Sequence, residues 1–214
     1  TNYESCSIYY DFAHSPSKVN ASISAVKELS PDYYLIACLQ LCTFSSLDKK
    51  YIPQYLDVFK HANEGDPQSV LDTIDRFVQE TGTFLMNVGP EKGKLLSKTI
   101  TEIKPAKALE LGSFLGYSAI IIAMFLPEKG SLISIDHDKD SVETSNKIVK
   151  FAGLDDKVQF INSKSDQAIR TLQESFDFVF IDHEKKLYHS DLLLLEELNL
   201  INKGAVVFAD NVGI

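Results

Sequence analysis

The sequence predicts an α/β domain with a doubly wound, mainly parallel sheet, preceded by a helical N-terminal extension. Three observations predict it. From Ala106 onward, short apolar runs alternate with amphipathic ones. A glycine-bearing turn follows the first of those runs, and an acidic residue stands at or near the end of four of the five. Alternation of this kind implies parallel strands joined by crossover helices on both faces.

Taken in order, the first 64 residues form the extension and residues 65–214 the α/β domain. Up to about Thr81 the pattern is helical. Ser30-Pro31-Asp32 supplies a cap and a first-turn proline for one helix. Asp66-Pro67-Gln68-Ser69 opens another, in which Val70, Leu71, Ile74, Phe77 and Val78 recur every three or four residues. The predicted strands are Ala106–Leu111, Ser131–Asp136, Lys157–Ile161, Phe176–Asp182 and Ala205–Asp210. The intervening helices are Gly116–Leu126, Asp138–Phe151, Ser165–Gln173 and Tyr188–Leu198.

Composition excludes several classes. The chain has 214 residues, 44% of them hydrophobic, and a net charge of −9. A core can form, and with no basic stripe a nucleic-acid partner is not expected. The longest apolar stretch, Tyr33 to Phe44, is interrupted by Gln40 and is shorter than the roughly 20 residues that span a bilayer, so no membrane partner is expected. Cys6, Cys38 and Cys42 form no C-x-x-C pair, which argues against a disulfide framework or a zinc site. Cys38 and Cys42, four residues apart in an apolar run, read as core thiols in a reducing compartment, so a cytoplasmic location is expected. The sequence does not decide the oligomeric state.

In parallel sheets, ligands bind beyond the carboxyl ends of the strands. Glu110, Asp136, Asp182 and Asp210 stand at those ends, and so many carboxylates on one rim repel unless cations or hydroxyls occupy it. Gly112 and Gly116 let the backbone of the turn after the first strand approach a ligand closely. The spacing is not the G-x-G-x-x-G of dinucleotide folds, and the acid two residues before Gly112 suits a cationic ligand better than a pyrophosphate. Asp136 can accept the hydroxyls of a ribose. A sulfonium attached to a ribose satisfies both acids.

The run Leu109-Glu110-Leu111-Gly112-Ser113-Phe114-Leu115-Gly116-Tyr117-Ser118 resembles the cofactor loop of S-adenosylmethionine-dependent methyltransferases. Three stretches narrow the resemblance to the catechol O-methyltransferase family: Gly65-Asp66-Pro67-Gln68-Ser69-Val70-Leu71, Met86-Asn87-Val88-Gly89, and Phe151-Ala152-Gly153-Leu154 with Asp156-Lys157-Val158. Ile181-Asp182-His183 with Lys185, and Ala209-Asp210-Asn211-Val212, complete it. The resemblance covers Gly65 to the last residue and implies methyl transfer from S-adenosylmethionine to a hydroxyl of a small aromatic diol, assisted by Mg²⁺. By the resemblance, Met86 and Val88 border the methionine end of the cofactor. Glu110, Gly112, Tyr117 and Ser118 form its loop, with Ser118 at the carboxylate. Asp136 holds the ribose. His137, Ser165 and Asp166 lie at the adenine side, and Asp182 and His183 complete the pocket wall. An N-cap role is the alternative for Ser165.

Asp182, Asp210 and Asn211 match the family's metal positions, and an all-oxygen set of this kind suits Mg²⁺. A phenol ionises near pH 10 by the tyrosine reference, so a metal and a base are both useful at neutral pH. Lys185 matches the family's general base, and a nearby cation and desolvation would favour its neutral amine. Phe84, Glu184, Lys185 and Asn211 are the expected substrate contacts. The family carries tryptophan where this chain has Glu184, and another close to Phe84; the chain has no Trp. Glu184 is expected in solvent or paired with Lys186. The family also continues into a final antiparallel strand pair bearing a substrate-holding glutamate, and the sequence stops at Ile214 before it. A cofactor-binding module without catalysis, or a caffeoyl-CoA-type O-methyltransferase, are the alternatives.

Overall fold

A computed structural model describes residues 2–3, 6–7, 35–39, 62–81 and 87–212. Two short strands, β1 (Asn2–Tyr3) and β2 (Cys6–Ser7), pair antiparallel. Next come β3 (Leu35–Leu39), α1 (Pro67–Thr81), α2 (Gly89–Ile103), β4 (Lys107–Leu111), α3 (Tyr117–Phe125) and β5 (Ser131–Asp136). The chain continues through α4 (Lys139–Phe151), β6 (Val158–Asn162), α5 (Ser165–Ile169), β7 (Phe176–Ile181), a short 3₁₀ turn (Lys185–Leu187), α6 (Tyr188–Glu197) and β8 (Ile201–Asp210).

Six strands form one sheet in the order β3-β8-β7-β4-β5-β6, every neighbouring pair parallel. From β4 the chain winds outward through β5 to β6, then returns to the other side of β4 for β7 and β8. The winding therefore reverses between β4 and β7, the place where open α/β sheets leave a crevice for ligands.

Strand side chains alternate between two cores. Ala108, Phe178, Phe180, Val206 and Phe208 join a cluster with Leu96, Ile100, Ile120 and Ile148 from α2, α3 and α4. Leu109, Leu111, Val179, Ile181 and Val207 face the opposite cluster, with Ile169, Leu194 and Leu195 from α5 and α6. A sheet covered on both faces explains why the strands read as almost unbroken apolar runs. Helix α3 is buried from Tyr117 through Ala123, sandwiched rather than amphipathic. The start of α4 is fixed by Asp138, whose carboxylate accepts from the Ser141 backbone N–H at 3.2 Å and from the Ser141 hydroxyl at 2.7 Å. Among the described residues, no helix is long and apolar enough to cross a membrane.

Four features differ from the sequence expectation. Leu35–Leu39, read as part of a helix, is a strand beside β8. An unbroken apolar run fits a buried strand as well as a helix, and here an open sheet edge decides. The i, i+4 spacing of Cys38 and Cys42 therefore carries no helical meaning; Cys42 lies outside the described residues. Helix α2 was not expected, although Pro90 in its first turn and Leu95, Leu96 and Ile100 at helical spacing mark it. Helix α5 ends at Ile169, shorter than the predicted Ser165–Gln173. Its N-cap is Lys164, so Ser165 lies inside the helix and does not cap it.

Candidate active site

The parallel register aligns the strand ends, so Asp210, Asp182, Gly112 and Asp136 follow one another along the rim. Gly112 joins the two halves. Its N–H donates to the Ile135 carbonyl at 2.8 Å, and the Asp182 N–H donates to Leu111 O at 2.8 Å. A Cβ on Gly112 would stand 2.4 Å from the Asp182 carbonyl oxygen, and its φ is +98°. Only glycine lets the loop after β4 lie against the chain leaving β7.

A cleft of about 740 Å³ opens above this rim. It is lined by Val88, Gly112, Tyr117, Ser118, Asp136, His137, Ser165, Asp166, Asp182, His183, Glu184, Lys185, Asp210 and Asn211. The volume lies in the range of small-molecule and cofactor sites. Phe84 and Met86 lie outside the described residues.

Glu110 departs from the rim reading. It pairs in register with Ser134 inside the sheet, is fully buried and does not line the cleft. The Ser134 hydroxyl donates to Oε2, while Oε1 has no partner. Burial pushes the Glu110 pKa up to about 7, against the opposing hydrogen bonds from Ser118 and Ser134, and the Asp136 charge adds to the rise. Glu110 therefore acts on the loop from behind. A raised folded-state value means that the folded protein holds this proton more tightly than the unfolded chain. The penalty is absent below about pH 4.5 and grows as pH rises through about 7. Glu110→Gln should be more stable than wild type at pH 8, by on the order of 3 kcal/mol at most, and equal to it near pH 4.5. Urea titrations at both pH values check this, and a Gln advantage confined to the acid side would contradict it.

Asp136 closes β5 and organises the loop after β4. Its Oδ2 accepts from the Ser113 N–H at 2.9 Å, the Ser113 hydroxyl at 3.3 Å and the Phe114 N–H at 3.1 Å. Its Oδ1 accepts from the Asp138 N–H at 2.9 Å, with His137 Nδ1 at 3.6 Å. Only Oδ1 keeps lone-pair capacity for a ligand, so the carboxylate can offer a ribose one strong bond rather than two. Tyr117 is anchored from outside the sheet: its hydroxyl donates to the Asp75 carboxylate of α1 at 3.0 Å.

At the other end of the rim, Asp210 is 2% exposed. Asn211 has φ of +54°, which folds it back on its neighbour. Its N–H donates to Asp210 Oδ1 at 2.9 Å and its amide NH₂ to Oδ2 at 3.0 Å, which leaves the amide oxygen as an acceptor. Asp182 has its pKa raised by burial first and by the Asp210 charge second; Lys92 and Lys185 oppose the rise. Among the described residues, no group of three or more His, Cys, Asp and Glu side chains could hold a metal ion. The donors here are two carboxylates and an amide oxygen, all hard ligands of the kind that suits a divalent cation.

His183 is tied to α6. Its Nε2 meets Asp191 Oδ2 at 2.7 Å, and its ring stacks on Tyr188 at 5.2 Å between centroids. Glu184 pairs with Lys186 at 2.5 Å on the exposed surface. Lys185 is exposed and has no ion-pair partner among the described residues.

Sequence reasoning missed two cleft residues. Asn87 presents a buried amide nitrogen with no partner. Lys92, from α2, places its Nζ 2.5 Å from Asp210 Oδ2. The unrecognised helix hid Lys92, because a lysine aimed at the sheet is visible only once the helix and its buried face are known.

Residues 61–213 match the O-methyltransferase family. The chain belongs to that family. It is 40% identical over 174 residues to catechol O-methyltransferase B of Danio rerio, covering 78% of this chain and 66% of the relative. It is 41% identical over 160 residues to catechol O-methyltransferase of Mus musculus, covering 72% and 60%. The match thus spans about two thirds or less of the length of these O-methyltransferases. Among solved structures, SAH-bound Podospora anserina methyltransferase PaMTH1 shares the fold with a TM-score of 0.61 at 19% identity, covering 80% of this chain and 74% of that one. An O-methyltransferase from Bacillus cereus in complex with SAH has a TM-score of 0.59 at 21% identity, covering 75% and 73%.

Proposed function

We propose that the chain transfers a methyl group from S-adenosylmethionine to a hydroxyl of a small catechol-type substrate, with Mg²⁺ at Asp182, Asp210 and Asn211. The observation that carries the proposal is one cleft with two chemically distinct ends. A ribose-type acceptor, Asp136, stands at the β5 end, and an all-oxygen cation set with the exposed Lys185 stands at the β7–β8 end. The names of the relatives supply the substrate class. When bound, the cofactor supplies an electrophilic methyl group, and the metal supplies Lewis-acid stabilisation of an oxyanion.

The protein's own groups do the rest. Asp136 Oδ1 accepts a ribose hydroxyl. Val88, Tyr117 and Ser118 border the methionine end, and His137, Ser165 and Asp166 the adenine end. His183, fixed by Asp191 and Tyr188, walls the middle of the cleft. Lys185 Nζ, exposed at this end of the cleft, takes the substrate hydroxyl proton. Glu184, held by Lys186, leaves Lys185 uncommitted. Holding donor and acceptor in line supplies the orientation that methyl transfer requires.

The test is transfer of label from methyl-labelled S-adenosylmethionine to catechol. Transfer is expected with Mg²⁺, should vanish in excess EDTA and should return when Mg²⁺ is restored. Transfer undiminished by EDTA would remove the metal. Cofactor binding with no transfer would leave the binding-module reading.

A further inference from the structure

Lysine is almost never buried unless it is paired. The Lys92 side chain is 10% exposed and the Asp210 side chain 3%, and their charged atoms lie 2.5 Å apart. The two residues are 118 positions apart in sequence, so the pair ties α2 to the end of β8. Asp182 ends the neighbouring strand level with Asp210, and Lys92 lines the same cleft as both, so its charge faces the pair of carboxylates. Both oxygens of Asp210 are already engaged: Oδ1 by the Asn211 N–H, and Oδ2 by the Asn211 amide and by Lys92. Oδ2, with two donors, has no free lone pair, so a cation reaching that oxygen must displace the ammonium, and one bound at Oδ1 arrives beside it. Lys185, exposed and unpaired among the described residues, is not committed in this way.

We propose that Lys92 is a tethered cation that neutralises the Asp182–Asp210 pair when no metal is bound, and that by competing at Asp210 it sets the affinity of the site for divalent metal. The inference rests on the metal reading above and adds a positioning residue to it. Two opposing effects follow. The ammonium keeps the metal-free site from flying apart under carboxylate repulsion. The same charge repels an entering divalent ion at short range in a poorly screened site, which weakens binding and keeps the metal exchangeable.

The experiment is calorimetric titration of the wild type, Lys92→Met and Lys92→Arg with Mn²⁺ and with Mg²⁺, alongside thermal unfolding with and without metal. Lys92→Met should bind metal at least tenfold more tightly. Its metal-free Tm should fall, and added metal should raise that Tm more than it raises the wild-type value. Lys92→Arg, which keeps the charge, should stay within about threefold of the wild-type Kd. Equal Kd for wild type and Lys92→Met, with only the Tm lowered, would reduce Lys92 to a structural ion pair and overturn the proposal while leaving the metal reading intact. Binding by neither protein would overturn both. A readout on the wild type alone covers a Met variant that fails to fold. The ¹⁵N resonance of the Lys92 ammonium should move when Mg²⁺ is added, and an unmoved resonance would overturn the proposal.

Discussion

Lys185→Ala should lower kcat by about 10²–10⁴-fold, the usual cost of removing a general base. Affinity for S-adenosylhomocysteine should stay within about threefold. Lys185 is exposed and unpaired among the described residues, so its removal breaks no hydrogen bond or ion pair among them and should change Tm little. The rate of the variant should climb with pH as more of the phenol ionises unaided. Lys185→Arg should not restore the rate, because a guanidinium stays protonated throughout the accessible range. Steady-state kinetics over pH 6–9, with Tm and cofactor affinity on the same preparations, checks each part. An alanine variant that keeps most of its rate at neutral pH would remove Lys185 from the chemistry.

Gly112→Ala should be the most damaging small substitution in the cleft. The methyl group would stand 2.4 Å from the Asp182 carbonyl oxygen, 2.8 Å from its carbon and 3.0 Å from the His183 nitrogen. These are backbone atoms, so relief requires moving the chain itself. The φ of +98° adds strain that an L side chain rarely tolerates. The shift would pull on both flanking strands, through the Ile135 carbonyl and through the bond from the Asp182 N–H to Leu111. We expect a loss of about 3 kcal/mol or more, which is a fall in Tm of about 10 °C for a domain of this size. Affinity for S-adenosylhomocysteine should drop at least tenfold, because the cofactor loop moves with the strand end. An unchanged Tm together with unchanged affinity would show that the close approach between β4 and β7 is not required.

Much of this architecture could be read from the residues, and the gaps have physical causes. The five strands from β4 to β8 appear within a few residues of their expected places because a sheet covered on both faces leaves short, nearly unbroken apolar runs. Asp136, Asp182 and Asp210 fall where parallel strands end, and the register carries them to one rim. Glu110 follows the same sequence logic but sits two residues inside the rim, where pairing with Ser134 buries it. Two residues of register separate a cleft carboxylate from a core one, and sequence spacing does not resolve that. Leu35–Leu39 was misread because its partner, the open edge of β8, lies far along the chain. Lys92 and Asn87 escaped notice for a related reason: each matters through a partner, or the lack of one, that only tertiary packing defines.

The most direct test of the central claim, that one cleft holds both a nucleoside cofactor and a divalent metal, is diffraction from crystals grown with S-adenosylhomocysteine and Mn²⁺. An anomalous peak is predicted within about 2.0–2.6 Å of oxygens from Asp182, Asp210 and Asn211, with the ribose of the same complex against Asp136 Oδ1. A nucleoside bound away from Asp136, or a cleft holding nucleoside with no anomalous peak at those three residues, would contradict it.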